Sequence, residues 1–146
     1  MKFSSVDCRA RFVAARVARL ATVGADGVPH LVPVTFAVAV AADEVVIAID
    51  QKPKSTVDLR RLRNIAANPS VALLVDSYDE DWTQLWWVRA DGTATVLDAP
   101  PSVATSASHS SAVELLVAKY PQYAADPPRG PVIVVRVNRW SGWSFA

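Results

Sequence analysis

The sequence predicts a mainly β fold: six or seven antiparallel strands closed into one small barrel, with two or three short helices. Three observations point there. Runs rich in Val, Ile, Thr and Phe recur over 30–40, 45–49, 71–75 and 132–137, as expected of strands. Turn dipeptides, Asp26-Gly27 and Asp91-Gly92, separate or interrupt the extended stretches. Helical spacing is confined to three segments, near 6–20, 55–67 and 112–120. A small antiparallel sheet of this kind closes on itself to remove its edges, and 146 residues make a single domain over 1–146.

The elements follow in order. Val6, Ala10, Val13, Val17 and Leu20 recur at helical spacing between arginines, which predicts an amphipathic opening helix ending near Leu20. A short strand over 20–23 meets the turn at 24–27, and extended chain runs over 30–40 to Asp43-Glu44. A further strand follows over 45–49, so the first three strands form a meander. His30, after Pro29 at the head of a strand, reads as a turn or edge residue, with a catalytic role open because imidazole titrates near neutrality.

The chain is organised around the basic turn and helix at 51–69. Proline at 53 pushes Lys52 toward extended geometry, Ser55 suits an N-cap, and Asp58 completes a capping-box-like pair. Leu59, Leu62, Ile65 and Ala66 share an apolar face, while Arg60, Arg61, Arg63 and Asn64 lie largely off it, and Asn68-Pro69 ends the helix. A helix N-terminus flanked by Lys52 and Lys54 would stabilise a phosphate or carboxylate. The alternative is a solvated basic face.

A strand over 71–75 and an acidic loop over 76–81 come next, then extended chain over 82–97 with Asp91-Gly92 as an internal turn or bulge. In that stretch Trp82, Gln84, Trp86 and Val88 share one face and Thr83, Leu85, Trp87 and Arg89 the other. Neither face is polar throughout. Such a strand is covered on both sides, by core and by a partner subunit or bound ring, unless its tryptophans are all core. Residues 98–111, including His109, read as a polar surface loop; 112–120 as a helix ended by Pro121; 122–131 as loop; 132–137 as a last buried strand. The tail carries Trp140 and Trp143, placed to close a pocket or to pack on a neighbour.

Composition excludes several functions. A net charge of +1 argues against a general nucleic-acid binder, so any anion selectivity is local: Lys52, Lys54, Arg60, Arg61 and Arg63 precede acidic Asp76, Asp79, Glu80 and Asp81. Cys8 is the sole cysteine, which rules out an intrachain disulfide and fits a reducing compartment. With two histidines and one cysteine there is no structural zinc pattern, and dinucleotide, phosphate-loop and zinc-protease motifs are missing. No apolar run is long enough to span a membrane. A cytoplasmic protein is expected, with no nucleic-acid or membrane partner and no metal.

The succession GADGVPHLVPVTF, VVIAIDQKPKSTVDLRRLRNIAANPSVALLVD and DEDWTQLWWVRADGTATVL resembles the pyridoxamine 5′-phosphate oxidase-like split β-barrel family of flavin and deazaflavin proteins, the FMN-binding split barrel. Within it the chain is most similar to the coenzyme F420-dependent oxidoreductases. The resemblance implies a homodimer with cofactor at the subunit interface and hydride transfer from reduced F420 to a small conjugated acceptor. An FMN-dependent oxidoreductase and a non-catalytic F420 carrier are the alternatives. It further implies that Val32, Pro33, Val34 and Thr35 run beside the ring and that Ile49, Asp50 and Gln51 edge the pocket. Lys52, Lys54 and Ser55 would meet the phosphate, with Arg60 or Arg61 reaching the phosphate or the acidic tail, and Trp86 and Trp87 would wall the site from the partner. Many relatives carry Arg-Asn-Leu where this chain has Val57-Asp58-Leu59, a departure that removes one cation. Because the redox chemistry belongs to such a cofactor, no acid/base constellation is needed.

Overall fold

A computed structural model describes residues 1–49, 59–98 and 107–146. Its order is α1 (Ser5–Ala14), β1 (Ala18–Val23), β2 (Pro29–Val34), β3 (Ala37–Ala39), β4 (Glu44–Ala48), α2 (Arg60–Ala67), β5 (Ser70–Ser77), β6 (Trp86–Leu97), α3 (Ala107–Lys119), α4 (Pro121–Ala125) and β7 (Val132–Ser144). Short 3₁₀ turns occupy Val40–Ala42 and Trp82–Gln84.

All seven strands belong to one sheet in the order β2-β1-β5-β6-β7-β4-β3, antiparallel throughout. The two edge strands, β2 and β3, are separated in sequence by only Thr35 and Phe36, a link that spans roughly 11 Å at most. The sheet therefore curls until its edges face each other at that corner, giving the expected mainly β split barrel. The edges suit their positions: β2 carries Pro29 and Pro33, tolerated where ladder donors are not needed, and β3 has three residues. At the gap the Tyr120 hydroxyl accepts from the Phe36 N–H at 3.1 Å. Its own proton has two carbonyls in reach, Arg16 at 2.8 Å and Phe36 at 3.0 Å.

The barrel interior is filled by Phe12, Leu20, Phe36, Val45, Ile47, Leu73, Val75, Val88, Ile133 and Val135, all essentially without solvent contact. A second cluster, with Ala37, Val46, Ala48 and Val132 of the sheet and Ala112 and Leu116 of α3, covers the opposite face. Strand β4 is thus buried on both sides, which explains its unbroken apolar run.

Several boundaries differ from the sequence expectation, each for a local reason. The opening helix stops at Ala14, because Ala15 turns extended (φ −73°, ψ 150°) and Ala18 and Leu20 alternate into the barrel as strand residues. Its buried face is Cys8 and Phe12, and Val6 is 70% exposed. The run over 30–40 breaks at the barrel corner into β2 and β3. Helix α2 begins at Arg60 with Leu59 at the N-cap and no side-chain cap bond, later than the predicted start at Ser55, a residue outside the described ones. Trp82–Gln84 is a 3₁₀ turn rather than strand, held by Asp81 Oδ1 accepting from the Thr83 N–H (3.1 Å) and hydroxyl (2.7 Å). Trp82 is accordingly 66% exposed and shares no face with Trp86.

Helix α3 starts at Ala107, inside the predicted loop, and His109 is buried on it, Nε2 2.9 Å from the Gly130 carbonyl. Loop was also expected where α4 forms, its Pro121 ending one helix and opening the next. Four α-helices are described, not two or three. The tail continues β7 to Ser144, so Trp140 and Trp143 are strand residues.

Asp43 ties three of these elements together. It takes a left-handed backbone (φ 55°) at the β3–β4 turn, its Oδ1 accepts from Arg9 Nε and Trp140 Nε1, each at 3.0 Å, and its carbonyl accepts from the Val137 N–H at 3.0 Å. The Arg9 bond, aided by Trp140 and opposed by burial, holds the carboxyl below its usual range. A depressed folded-state pKa contributes stability above the unfolded value of 3.8, lost as pH falls through the folded one. Asp43→Asn keeps the left-handed preference but removes the charge. It should cost about 1 kcal/mol at neutral pH, the low end because the pair is partly exposed. Urea melts at pH 7 and pH 3 test this: the wild-type advantage should shrink at pH 3, and an equal gap at both values rejects the ion-pair account.

Candidate functional site

At the barrel corner, where the closing strands leave a gap, lies a cleft of about 170 Å³ lined by Val17, Pro33, Val34, Thr35, Ala48 and Arg61. Each wall has a separate origin. Val17 stands on the α1–β1 link, Pro33 and Val34 end β2, Thr35 is the corner itself, Ala48 ends β4, and Arg61 comes from the first turn of α2. Thr35 is fixed by a 2.8 Å hydrogen bond between its hydroxyl and that of Tyr123.

Arg61 is the electrostatic feature of this cleft. Its Nε is buried and has no hydrogen-bond partner among the described residues, and a buried charged donor left unsatisfied is unusual enough to require a reason. Together with the partial positive charge of the helix's first turn, it gives the cleft a positive potential. Among the described residues no group of three metal-ligating side chains occurs, and neither a nucleophile nor an acid/base pair lines the walls.

Residues 7–144 match the family model of pyridoxamine 5′-phosphate oxidase. The chain belongs to the pyridoxamine 5′-phosphate oxidase family. No curated protein matches it. Among solved structures it is similar to an FAD-binding protein from Mesorhizobium loti (21% identity, TM-score 0.68, covering 97% of this chain and 95% of that one). It is likewise similar to the FAD-binding protein of Mycobacterium smegmatis (19%, TM-score 0.66, all of both chains). The haem storage protein HutZ of Vibrio cholerae shares the architecture too (13%, TM-score 0.70, 96% and 93% covered). At these identities the likeness concerns the fold.

Within this family fold the site residues expected from sequence are distributed unevenly. Pro33, Val34, Thr35 and Arg61 meet in the one cleft. Val32 points into the barrel opposite Leu20, and Ile49 is buried with its N–H bonded to the Pro131 carbonyl at 3.2 Å. Arg60 faces Asp26 in the β1–β2 turn at 3.8 Å, away from the cleft lining. Trp86 packs on the core and lines a neighbouring cleft, while Trp87 lies on the opposite face of β6 beside Asp76 and Trp143. Asp50, Gln51, Lys52, Lys54 and Ser55 lie outside the described residues.

Sequence reasoning missed Val17 and Ala48 as walls, and Lys119 beneath the corner. The Lys119 ammonium donates to the Ala15 carbonyl at 2.7 Å and sits 3.7 Å from the centre of the Phe36 ring. Burial, and secondarily the charge of Arg16, lowers its pKa to about 8. Burial raises that of the neighbouring Tyr120. No local signal announces these contacts, since they join residues about a hundred positions apart.

Proposed function

We propose that this family member is an oxidoreductase holding a phosphate-bearing ring cofactor at the barrel corner, taken as coenzyme F420, and that it reduces a small conjugated acceptor. The observation that carries the reading is the unpartnered Nε of Arg61 in a cleft walled by residues 33–35. Arg61 binds the phosphate, with Lys52, Lys54 and Ser55 of the adjoining turn as the further expected contacts, and the chain at 33–35 supports the ring edge. The cofactor supplies the hydride; the protein's residues bind, orient and exclude water.

The cleft is completed by a second copy of the chain. On the outer sheet face Leu31 is 66% and Leu74 37% exposed. With Ala21 and Ala72 they line an apolar hollow of about 420 Å³ rimmed by Arg19, Asp76 and Arg89. A solvated antiparallel face would be polar there. This hollow supports a homodimer whose partner covers the ring.

A flavin is the second reading, favoured by the two similar proteins described as FAD-binding, and a non-catalytic carrier is the third. Haem commonly takes an axial histidine; His109 is buried with Nε2 at the Gly130 carbonyl, and His30, on β2, is not among the residues that line the corner cleft.

Titrating the apoprotein with F420, FMN and FAD, then assaying quinones and nitro compounds with the reduced form, tests the reading. Tight F420 binding with acceptor turnover supports it; flavin binding with F420 excluded replaces it by the second; binding without turnover favours the carrier. A monomer in light scattering overturns the shared site.

A further inference from the structure

Strands β2 and β3 do not pair with each other, so the backbone groups at the barrel corner have no ladder to join. Two consecutive residues where α3 ends meet them instead. Pro121 disfavours helix at the residue before it, and Tyr120 is accordingly extended (φ −117°, ψ 119°) between α3 and α4. Its hydroxyl accepts from the Phe36 N–H at 3.1 Å, and its proton has the Arg16 carbonyl at 2.8 Å and the Phe36 carbonyl at 3.0 Å in reach. The Lys119 ammonium donates to the Ala15 carbonyl at 2.7 Å, above the Phe36 ring. One turn further on, Tyr123 holds the Thr35 hydroxyl at 2.8 Å. The segments so joined, the α1–β1 link and the strand corner, carry Val17, Pro33, Val34 and Thr35 of the cleft lining.

Lys119 is an uneasy member of this group. The charged or titratable side chains that face it are Arg16 of the α1–β1 link and Tyr120, whose ring centre lies 5.3 Å away with Tyr123 of α4 edge-on behind it. Thr35 and Phe36 of the corner bring none. Among the described residues no carboxylate forms an ion pair with it. The two rings and one carbonyl offset part of its desolvation, but burial and the charge of Arg16 still bring its pKa down to about 8. Because this lies below the ordinary 10.5, an opened corner holds the proton more firmly than the closed one between those values. Closure is therefore weakest below about pH 8 and strengthens as pH rises from there towards 10.5.

We propose that Tyr120 and Lys119 are positioning residues of the corner cleft: Tyr120 clasps the α1–β1 link to the strand corner, and the charge on Lys119 opposes that closure, so the cleft tightens when the ammonium gives its proton to solvent. The clasp is a property of the protein without ligand. Its consequence for a bound molecule rests on the cofactor reading above.

Amide exchange at Phe36, whose N–H is held by Tyr120, reads the opening of the clasp in the apoprotein, and titrations with FMN, FAD and F420 read the cleft. From pH 7 to 9.5 the wild-type protection factor should rise about tenfold, less than one decade per pH unit because Lys119 is partly exposed. Lys119→Met should show no such rise and be at least as protected as wild type at pH 7, while Tyr120→Phe should lose about tenfold at every pH. Tyr120→Phe should weaken the cofactor that binds about fivefold, and Lys119→Met should bind it at pH 7 no more weakly than wild type. The same slope in wild type and Lys119→Met, or unchanged protection in Tyr120→Phe, overturns the clasp; Lys119→Met sheds a buried charge, so the slope comparison stands even where Tyr120→Phe does not fold. Weaker binding by Lys119→Met at pH 7 overturns the positioning role, since the lysine then acts only as a charge on the ligand. Protection that follows Lys119 and Tyr120 as expected while no cofactor binds keeps the clasp and rejects the cofactor reading.

Discussion

Replacing Arg61 with Ala should raise the dissociation constant of a phosphate-bearing ring cofactor about 10- to 100-fold, corresponding to a lost charge-assisted bond of about 1.5–3 kcal/mol. Its Nε is buried with no hydrogen-bond partner among the described residues, so that one donor is desolvated without a bond from them to offset it. The same substitution should therefore leave the apoprotein's thermal midpoint unchanged or slightly raised, as removal of a group held ready for a ligand often does. Arg61→Lys should recover part of the affinity, because a point charge replaces the planar fork. Fluorescence titrations at low and high salt, with calorimetry of the apo variants, check both halves. A variant that melts well below wild type yet binds normally would make Arg61 a structural residue.

Gly92→Ala should be the most damaging single methyl addition to the fold, costing about 3–5 kcal/mol. The β6–β7 register shifts between Asp91, which faces Arg139, and Gly92, which faces Val137, leaving Asn138 of β7 as the extra residue, and a Cβ on Gly92 would lie 2.7 Å from Val135 Cγ1 and closer still to the Arg136 carbonyl. The obstructing atom is backbone in the paired strand, so relief requires moving β7, which also pairs with β4. Gly27→Ala is the comparison. Its φ of 73° is unfavourable for alanine, but no atom lies within 4 Å of the added carbon, and about 1 kcal/mol is expected. Urea denaturation of both variants separates strain from clash; equal losses would mean that the bulge relaxes.

Much of the barrel was legible because strands of an antiparallel sheet announce themselves by alternation and by turn residues such as Asp26-Gly27. Where two periods overlap, reading failed: Val13, Val17 and Leu20 suit a helix, yet Leu20 belongs to a strand whose alternate residues enter the core. The start of α3 was hidden for the opposite reason. Its first turns are Ala, Ser and His with no apolar period, and packing against Gly130 makes His109 a buried residue. Of the residues that line the corner cleft, Pro33 to Thr35 and Arg61 were named through family resemblance, whereas Val17 and Ala48 were not.

Sequence alone determined the mainly β class, the number of strands to within one, an irregularity at Asp91-Gly92 and the local concentration of cations around α2, all of which depend on neighbours a few residues apart. Tertiary structure decided where the sheet closes, which arginine nitrogen is buried without a hydrogen-bond partner among the described residues, and that Arg11 and Arg16 lie over aromatic rings. Those outcomes depend on contacts between distant segments, such as Arg16 with Tyr120 or Phe36 with Lys119. A guanidinium's meaning as ligand or ornament is set by whether the folded chain satisfies it, and that is a property of the packed corner rather than of any stretch of residues.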